Sequence, residues 1–168
     1  GYINTTFASQ KAKSRAISLW IDRNIKYNFD SIITNSIYET PSEVSERILE
    51  TRTGLCLNFA HLFNEIADKS GIRSYIVQGY TKQNGRVDFL PHVWCAAQIG
   101  TAWYLFDPTW GLWMKKPEYM MRTHIPFDPL WKTMNRDSIS AWETASQMDK
   151  ETASARRIEE RGIRNSFI

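Results

Sequence analysis

The chain has 168 residues, enough for one domain with a real core, and its 42% hydrophobic and 23% charged content is that of an ordinary globular protein. A net charge of +3, with both signs mixed along the chain, argues against nucleic acid as the main partner. No apolar run reaches the length of a membrane span, and two cysteines with three scattered histidines (His61, His92 and His124) call for no disulfide scaffold, structural metal or cofactor.

The chain opens on Gly1, with neither Met nor a signal peptide. A longer natural protein is therefore expected, and an extracytoplasmic or cell-envelope setting stays open. From Ser9 to Asn28, Ala12, Ala16, Leu19, Trp20, Ile21 and Ile25 recur at spacings of three or four, which predicts an amphipathic helix. Residues 29–39 read as a loop. "TPSE" then sets Thr40 as N-cap, Pro41 at the first helical position and Glu43 as capping-box partner, for a helix reaching about Glu50.

Thr53-Gly54 breaks that helix, with Gly54 expected to let the backbone turn sharply. A second helix is predicted from Cys56, burying Phe59, Ala60, Phe63, Ile66 and Ala67, and stopping at Gly71. The period then changes. "RSYIVQGY" reads as a strand, Asn84-Gly85 as a hairpin turn and "RVDFL" as a short return. "HVWCAAQI" and "AWYLFDPTW" follow as two more strands around Gly100-Thr101. Helices before an antiparallel sheet make an α+β order. Trp110 to Asn135 shows no clear period. Residues 137–161 read as a polar helix with Ile139, Trp142 and Met148 as its few apolar positions. The expected division is a core over 1–135 and a helical extension over 136–168, leading to a further domain.

Cys56 stands where a helix begins. Free backbone N–H groups and the helix dipole favour a thiolate there, and the thiolate is the nucleophile. His92 and His124 are the candidates for its general base, and strand register favours His92. If Ile99 faces Ala102 across the Gly100-Thr101 turn, paired residues sum to 201. Asp107 then becomes a diagonal neighbour of His92 on one face, with backbones roughly 7–8 Å apart. Cys95 falls opposite Phe106 on the other face, which removes it as a nucleophile. Attack, proton shuttling and orientation are the three needs of acyl transfer, and Cys56, His92 and Asp107 supply them in that order. Taken singly, each has a plainer reading: a buried thiol, a satisfied core histidine, a turn aspartate. His61 and His124 read as packing or structural residues, and Asn58 and Arg52 as structural or solvated.

"RTGLCLNFAHLFNEIADKSGI", "GY", "HVWC" and "WYLFDPTWG" together resemble the core of the transglutaminase-like superfamily of papain-like cysteine enzymes. The family pattern of Gly-x-Cys, His-x-aromatic and Asp-Pro-Thr-Trp falls on Gly54, Cys56, His92, Trp94, Asp107, Pro108, Thr109 and Trp110. The resemblance spans about residues 10–113. It implies a papain-like fold and a Cys56–His92–Asp107 triad acting on a peptide or protein substrate. "HIPFDPLW", His124 to Trp131, is similar to a segment that follows the core in some members, where it is not catalytic. The chain lacks the calcium-site context of animal transglutaminases and the paired CxxC motifs of peptide N-glycanases. Hydrolysis is therefore the favoured outcome, with amine transfer or a non-catalytic protein-binding domain as alternatives. An oxyanion hole would use the Cys56 backbone N–H with an upstream donor, for which Tyr27 is the candidate. Trp94 and Trp110 are core residues or walls of the cleft.

Overall fold

The computed structural model describes residues 1–28, 40–134 and 136–165, so the loop expected over 29–39 lies outside the described residues. The chain forms two compact units, Gly1–Thr133 and Met134–Ile168. A short first helix, α1 (Tyr2–Thr6), precedes α2 (Gln10–Asn24). Helix α2 starts later than its apolar pattern suggests, because the Ser9 hydroxyl accepts the Ala12 N–H and caps it. It ends at Asn24, where the chain becomes strand β1 (Lys26–Tyr27).

Helix α3 (Pro41–Thr51) carries the expected capping box: the Thr40 hydroxyl accepts from the Glu43 N–H, and the Glu43 carboxylate accepts from the Thr40 N–H. It stops at Arg52, whose φ of 56° is left-handed. The turn therefore falls on Arg52 and not on Gly54. Gly54 belongs to strand β2 (Thr53–Gly54), which runs parallel to β1 with Tyr27 beside Gly54. A Cβ on Gly54 would lie 2.7 Å from Asn58 Cβ, so glycine is needed there for space.

Helix α4 (Cys56–Lys69) begins at the expected residue. Asn58 accepts the Leu55 N–H at 2.9 Å, tying down the entry to the helix, and Gly71 ends it with φ 75°. Its Phe59, Ala60, Phe63 and Ala67 are buried against α2 residues Ile17 and Ile21 on one side. On the other they meet Val93, Cys95, Ala97 and Phe106 of the sheet. Phe63 and Phe106 rings lie 5.0 Å apart, and truncating such a buried ring to Ala costs about 3–5 kcal/mol. This packing fixes the helix start, and hence Cys56, against the sheet.

The sheet contains β3 (Ser74–Gln83), β4 (Arg86–Ile99), β5 (Ala102–Asp107), β6 (Leu112–Lys115) and β7 (His124–Pro126), in the spatial order β6-β5-β4-β3-β7. All pairs are antiparallel, as the α+β reading requires. The expected register holds: Ile99 pairs with Ala102 and Cys95 with Phe106. The Asn84-Gly85 turn also holds, with φ positive at both residues, as a two-residue hairpin demands. "RVDFL" and "HVWCAAQI", however, form one strand. Pro91 does not split it, because the register shifts between Tyr80 and Thr81 and leaves Phe89 and Leu90 unpaired beside it. A bulge of this kind accommodates proline and bends the strand.

The unassigned stretch after Trp110 contains β6, α5 (Pro117–Met120), β7 and α6 (Leu130–Thr133). Strand β7 lies close on β3 at Gly79, where an added Cβ would sit 2.1 Å from the Ile125 carbonyl oxygen. The second unit is built from α7 (Arg136–Asn165). No described helix is long and apolar enough to cross a membrane.

Candidate active site

Cys56 and His92 line one cleft of about 370 Å³, together with Tyr27, Leu90, Pro91, Thr109 and Trp110. Three local features bring them there. The α2–α4 packing presents the first residue of α4, the bulge at Phe89-Leu90 turns Pro91 and His92 toward the cleft, and the parallel β1–β2 pair sets Tyr27 beside the residues leading into Cys56.

The His92 Nε2–H donates to Asp107 Oδ2 at 2.7 Å. That bond leaves Nδ1 as the ring nitrogen available to Cys56, which lines the same cleft. Burial disfavours a thiolate on Cys56, but the hydrogen bond and charge of His92, with the Val93 and Leu57 backbone groups, outweigh it and lower the thiol pKa. Burial likewise disfavours a charged His92. Its hydrogen bonds to Asp107 and Cys56 prevail and raise the imidazole to about 9. The two shifts run in the direction that favours a thiolate–imidazolium pair.

Asp107 is fully buried. Its Oδ1 accepts the backbone N–H groups of Thr109 (2.9 Å) and Trp110 (3.1 Å). It is thus both the turn residue and the partner of His92. Its Oδ2 also accepts a second imidazole, His124 Nε2–H, at 3.0 Å. Burial alone would raise the Asp107 pKa, but the two histidines hold it below the usual carboxylate range.

In the sequence His124 is the second candidate for the general base, set behind His92 by register and read as structural. It is buried beside Asp107, and its Nδ1 lies 2.8 Å from the Thr123 hydroxyl. Among the described residues, His92, Asp107 and His124 have donor atoms within 4.8 Å of one another and are the group that could hold a cation. The 2.7 and 3.0 Å separations are those of N–H···O bonds, so the cluster is satisfied as a proton-bridged network.

Tyr27 lines the cleft with Cys56 and is held there by its pairing with Gly54. Burial and the nearby Cys56 charge raise its pKa, which keeps the phenol protonated as a donor. Trp110 walls the cleft and stacks on His92 with ring centroids 5.4 Å apart. Trp94 does not reach the cleft. It is fully buried, stacked behind His92 at 6.2 Å and packed over Gly79. Cys95 is also fully buried, its thiol directed at the Ala60 carbonyl oxygen, and both cysteines are free. Burial pushes the Cys95 thiol well above its ordinary value.

The family profile described as Transglutaminase-like superfamily matches residues 3–108. Two curated relatives match part of the chain: the Kyphoscoliosis peptidase of Mus musculus, 28% identical over 61% of this chain, and that of Homo sapiens, 30% identical over 58%. The matched regions are only 16% and 15% of those proteins' lengths. Solved structures share the fold. A candidate cysteine protease from Cytophaga hutchinsonii matches with TM-score 0.51 and 24% identity, over 68% of this chain and 34% of that one. The periplasmic domain of TgpA from Pseudomonas aeruginosa matches with TM-score 0.52 and 20% identity, over 66% and 40%.

Proposed function

The chain belongs to the transglutaminase-like superfamily, and from that premise we propose that it is a cysteine-nucleophile enzyme cleaving peptide or protein amide bonds through a thioester on Cys56. The observation that supports this reading is a cleft lined both by a helix-start thiol and by an imidazole bonded to a buried carboxylate.

The Cys56 thiolate attacks the amide carbonyl carbon. The oxygen takes up the negative charge and is met by the Cys56 backbone N–H and the Tyr27 hydroxyl. The His92 imidazolium gives its proton to the departing amine as the carbon–nitrogen bond breaks, leaving a thioester and a neutral imidazole. His92 then takes a proton from water, whose oxygen attacks the thioester, and the acid leaves as the Cys56 thiolate is restored. Asp107 holds His92 in the required tautomer throughout. An amine in place of water would give transamidation. Hydrolysis is favoured because the curated relatives over this segment are named peptidases.

The test is a thiol-reactive peptide electrophile with mass-spectrometric mapping, run beside a peptide-cleavage assay with and without excess primary amine. Labelling confined to Cys56, with cleavage lost in Cys56→Ala, is the expected result. Incorporation of the amine would replace hydrolysis by transamidation. A folded protein with an unreactive Cys56 would leave a binding domain on this scaffold.

A further inference from the structure

We infer that His124 is a positioning residue for the Asp107–His92 pair, acting through the Asp107 carboxylate and never on the substrate. The inference rests on the acyl-transfer reading of Cys56.

Asp107 has room for about four hydrogen-bond donors, and four are present. Oδ1 takes two backbone N–H groups, and Oδ2 takes His92 at 2.7 Å and His124 at 3.0 Å. A buried carboxylate so surrounded stays ionised and cannot rotate without losing a donor. Two features mark His124 as built for this contact. The Asp107 carboxylate, an acceptor only, requires the ring proton on Nε2, and the Thr123 hydroxyl holds the far nitrogen Nδ1 at 2.8 Å, fixing the ring in place. Its ring stands edge-on to Trp94 and Trp110, with centroids 4.9 Å from each. Those are the same two rings that stack on His92, so one aromatic pair clamps both imidazoles. The strand that carries His124 reaches this position because Gly79 leaves space for its backbone.

The titratable groups around the carboxylate are His92 and His124, with Cys56 beyond His92, Tyr27 across the cleft and Cys95 on the reverse face of the sheet. Without the His124 donor the buried carboxylate is less stable as an anion, so it protonates at higher pH. A protonated Asp107 no longer anchors the His92 imidazolium, and the thiolate loses its partner. The acid limb of Cys56 reactivity must therefore move upward.

The experiment measures Cys56 alkylation against pH for wild type, His124→Phe, His124→Gln and Thr123→Val, with folding checked by circular dichroism. His124→Phe should raise the acid limb by about one pH unit and slow the reaction at pH 6 about tenfold. His124→Gln, whose amide N–H can replace Nε2–H, should restore most of the rate. Thr123→Val, which frees the ring, should fall between. An acid limb that stays in place or moves down in His124→Phe, or a Gln variant no better than Phe, overturns the inference. If His124→Phe does not fold, the Gln and Val variants decide, because a merely structural histidine would leave the limb of Thr123→Val unmoved. Slow wild-type alkylation at pH 6 would instead overturn the acyl-transfer reading. The His92 Nε2–H proton resonance then judges His124 by itself: its titration should shift in His124→Phe, and an unmoved resonance counts against the role.

Discussion

The two faces of β4 are made by alternate residues of one strand, and they differ in almost every physical respect. Val93, Cys95 and Ala97 point toward α4 and enter an apolar core, where Cys95 makes a weak polar contact to the Ala60 carbonyl. His92 and Trp94 point the other way, toward Asp107 and His124. There a charged carboxylate is equally buried but fully hydrogen-bonded. Burial without partners makes a thiol inert. Burial with four donors keeps a carboxylate charged and able to orient an imidazole. Changes on the two faces should accordingly have opposite signatures: stability alone on the α4 side, chemistry as well on the other.

The largest effect short of removing the nucleophile is expected from Asp107→Asn. The Asn oxygen can still accept the Thr109 and Trp110 N–H groups, so the turn and the fold should persist. Its NH₂ group, however, would face two imidazole N–H donors. His92 must change tautomer or turn away, and cleavage should fall by about two to four orders of magnitude. Steady-state kinetics with a melting curve checks this. Full activity in the folded fraction would reduce Asp107 to a turn residue.

Gly79→Ala comes next, and it couples the faces. The new Cβ would meet the Ile125 carbonyl at 2.1 Å and the Trp94 ring at 2.5 Å. Two of these neighbours are backbone or a clamped ring, so β7 must move away, at a cost of about 3 kcal/mol. Because β7 carries His124, Cys56 alkylation at pH 6 should slow in the protein that remains folded. Urea denaturation and alkylation rates measure the two losses separately.

A smaller, reversible effect is set by pH. The lowered Cys56 pKa and the His92 value of about 9 bound the range in which the thiolate and imidazolium coexist. Cleavage should rise as pH passes upward through the lowered Cys56 pKa and decline above about 9 as His92 loses the proton the leaving amine needs. Alkylation, which needs only the thiolate, should not decline there. A cleavage rate still climbing at pH 10 would remove His92 as the acid.

Much of this arrangement was legible in the sequence where one local rule dominated. Thr40-Pro41-Glu43 fixed a helix start by capping chemistry, and the two-residue turn at Gly100-Thr101 set the register that put Asp107 with His92. Less was legible where tertiary contacts override local signals. Pro91 suggested a break, yet the bulge beside it lets the strand continue. Gly54 looked like a turn residue, but its role is to make room for Asn58. His124 lies 17 residues beyond Asp107 in a stretch without a period. Its contact depends on a three-residue strand docking at Gly79, which no pattern in the sequence announces.

The smallest effect should come from Cys95→Ala, and it sharpens the contrast between the two thiols most. Cys95 is 0% exposed, and its hydrogen bond to the Ala60 carbonyl is long, at 3.5 Å. Replacing sulfur by hydrogen leaves a small void between α4 and the sheet and frees one carbonyl that already belongs to the helix. The loss of packing should cost about 1 kcal/mol. Cys95 does not line the cleft, and a thiol held protonated by burial has no charge to withdraw from the site. Denaturant midpoints should therefore drop slightly while the pH profile and rate of Cys56 alkylation stay unchanged. A Cys95→Ala protein that is equally stable but altered in its Cys56 profile would mean that the sheet transmits charge between its faces, and the separation drawn from strand alternation would fail.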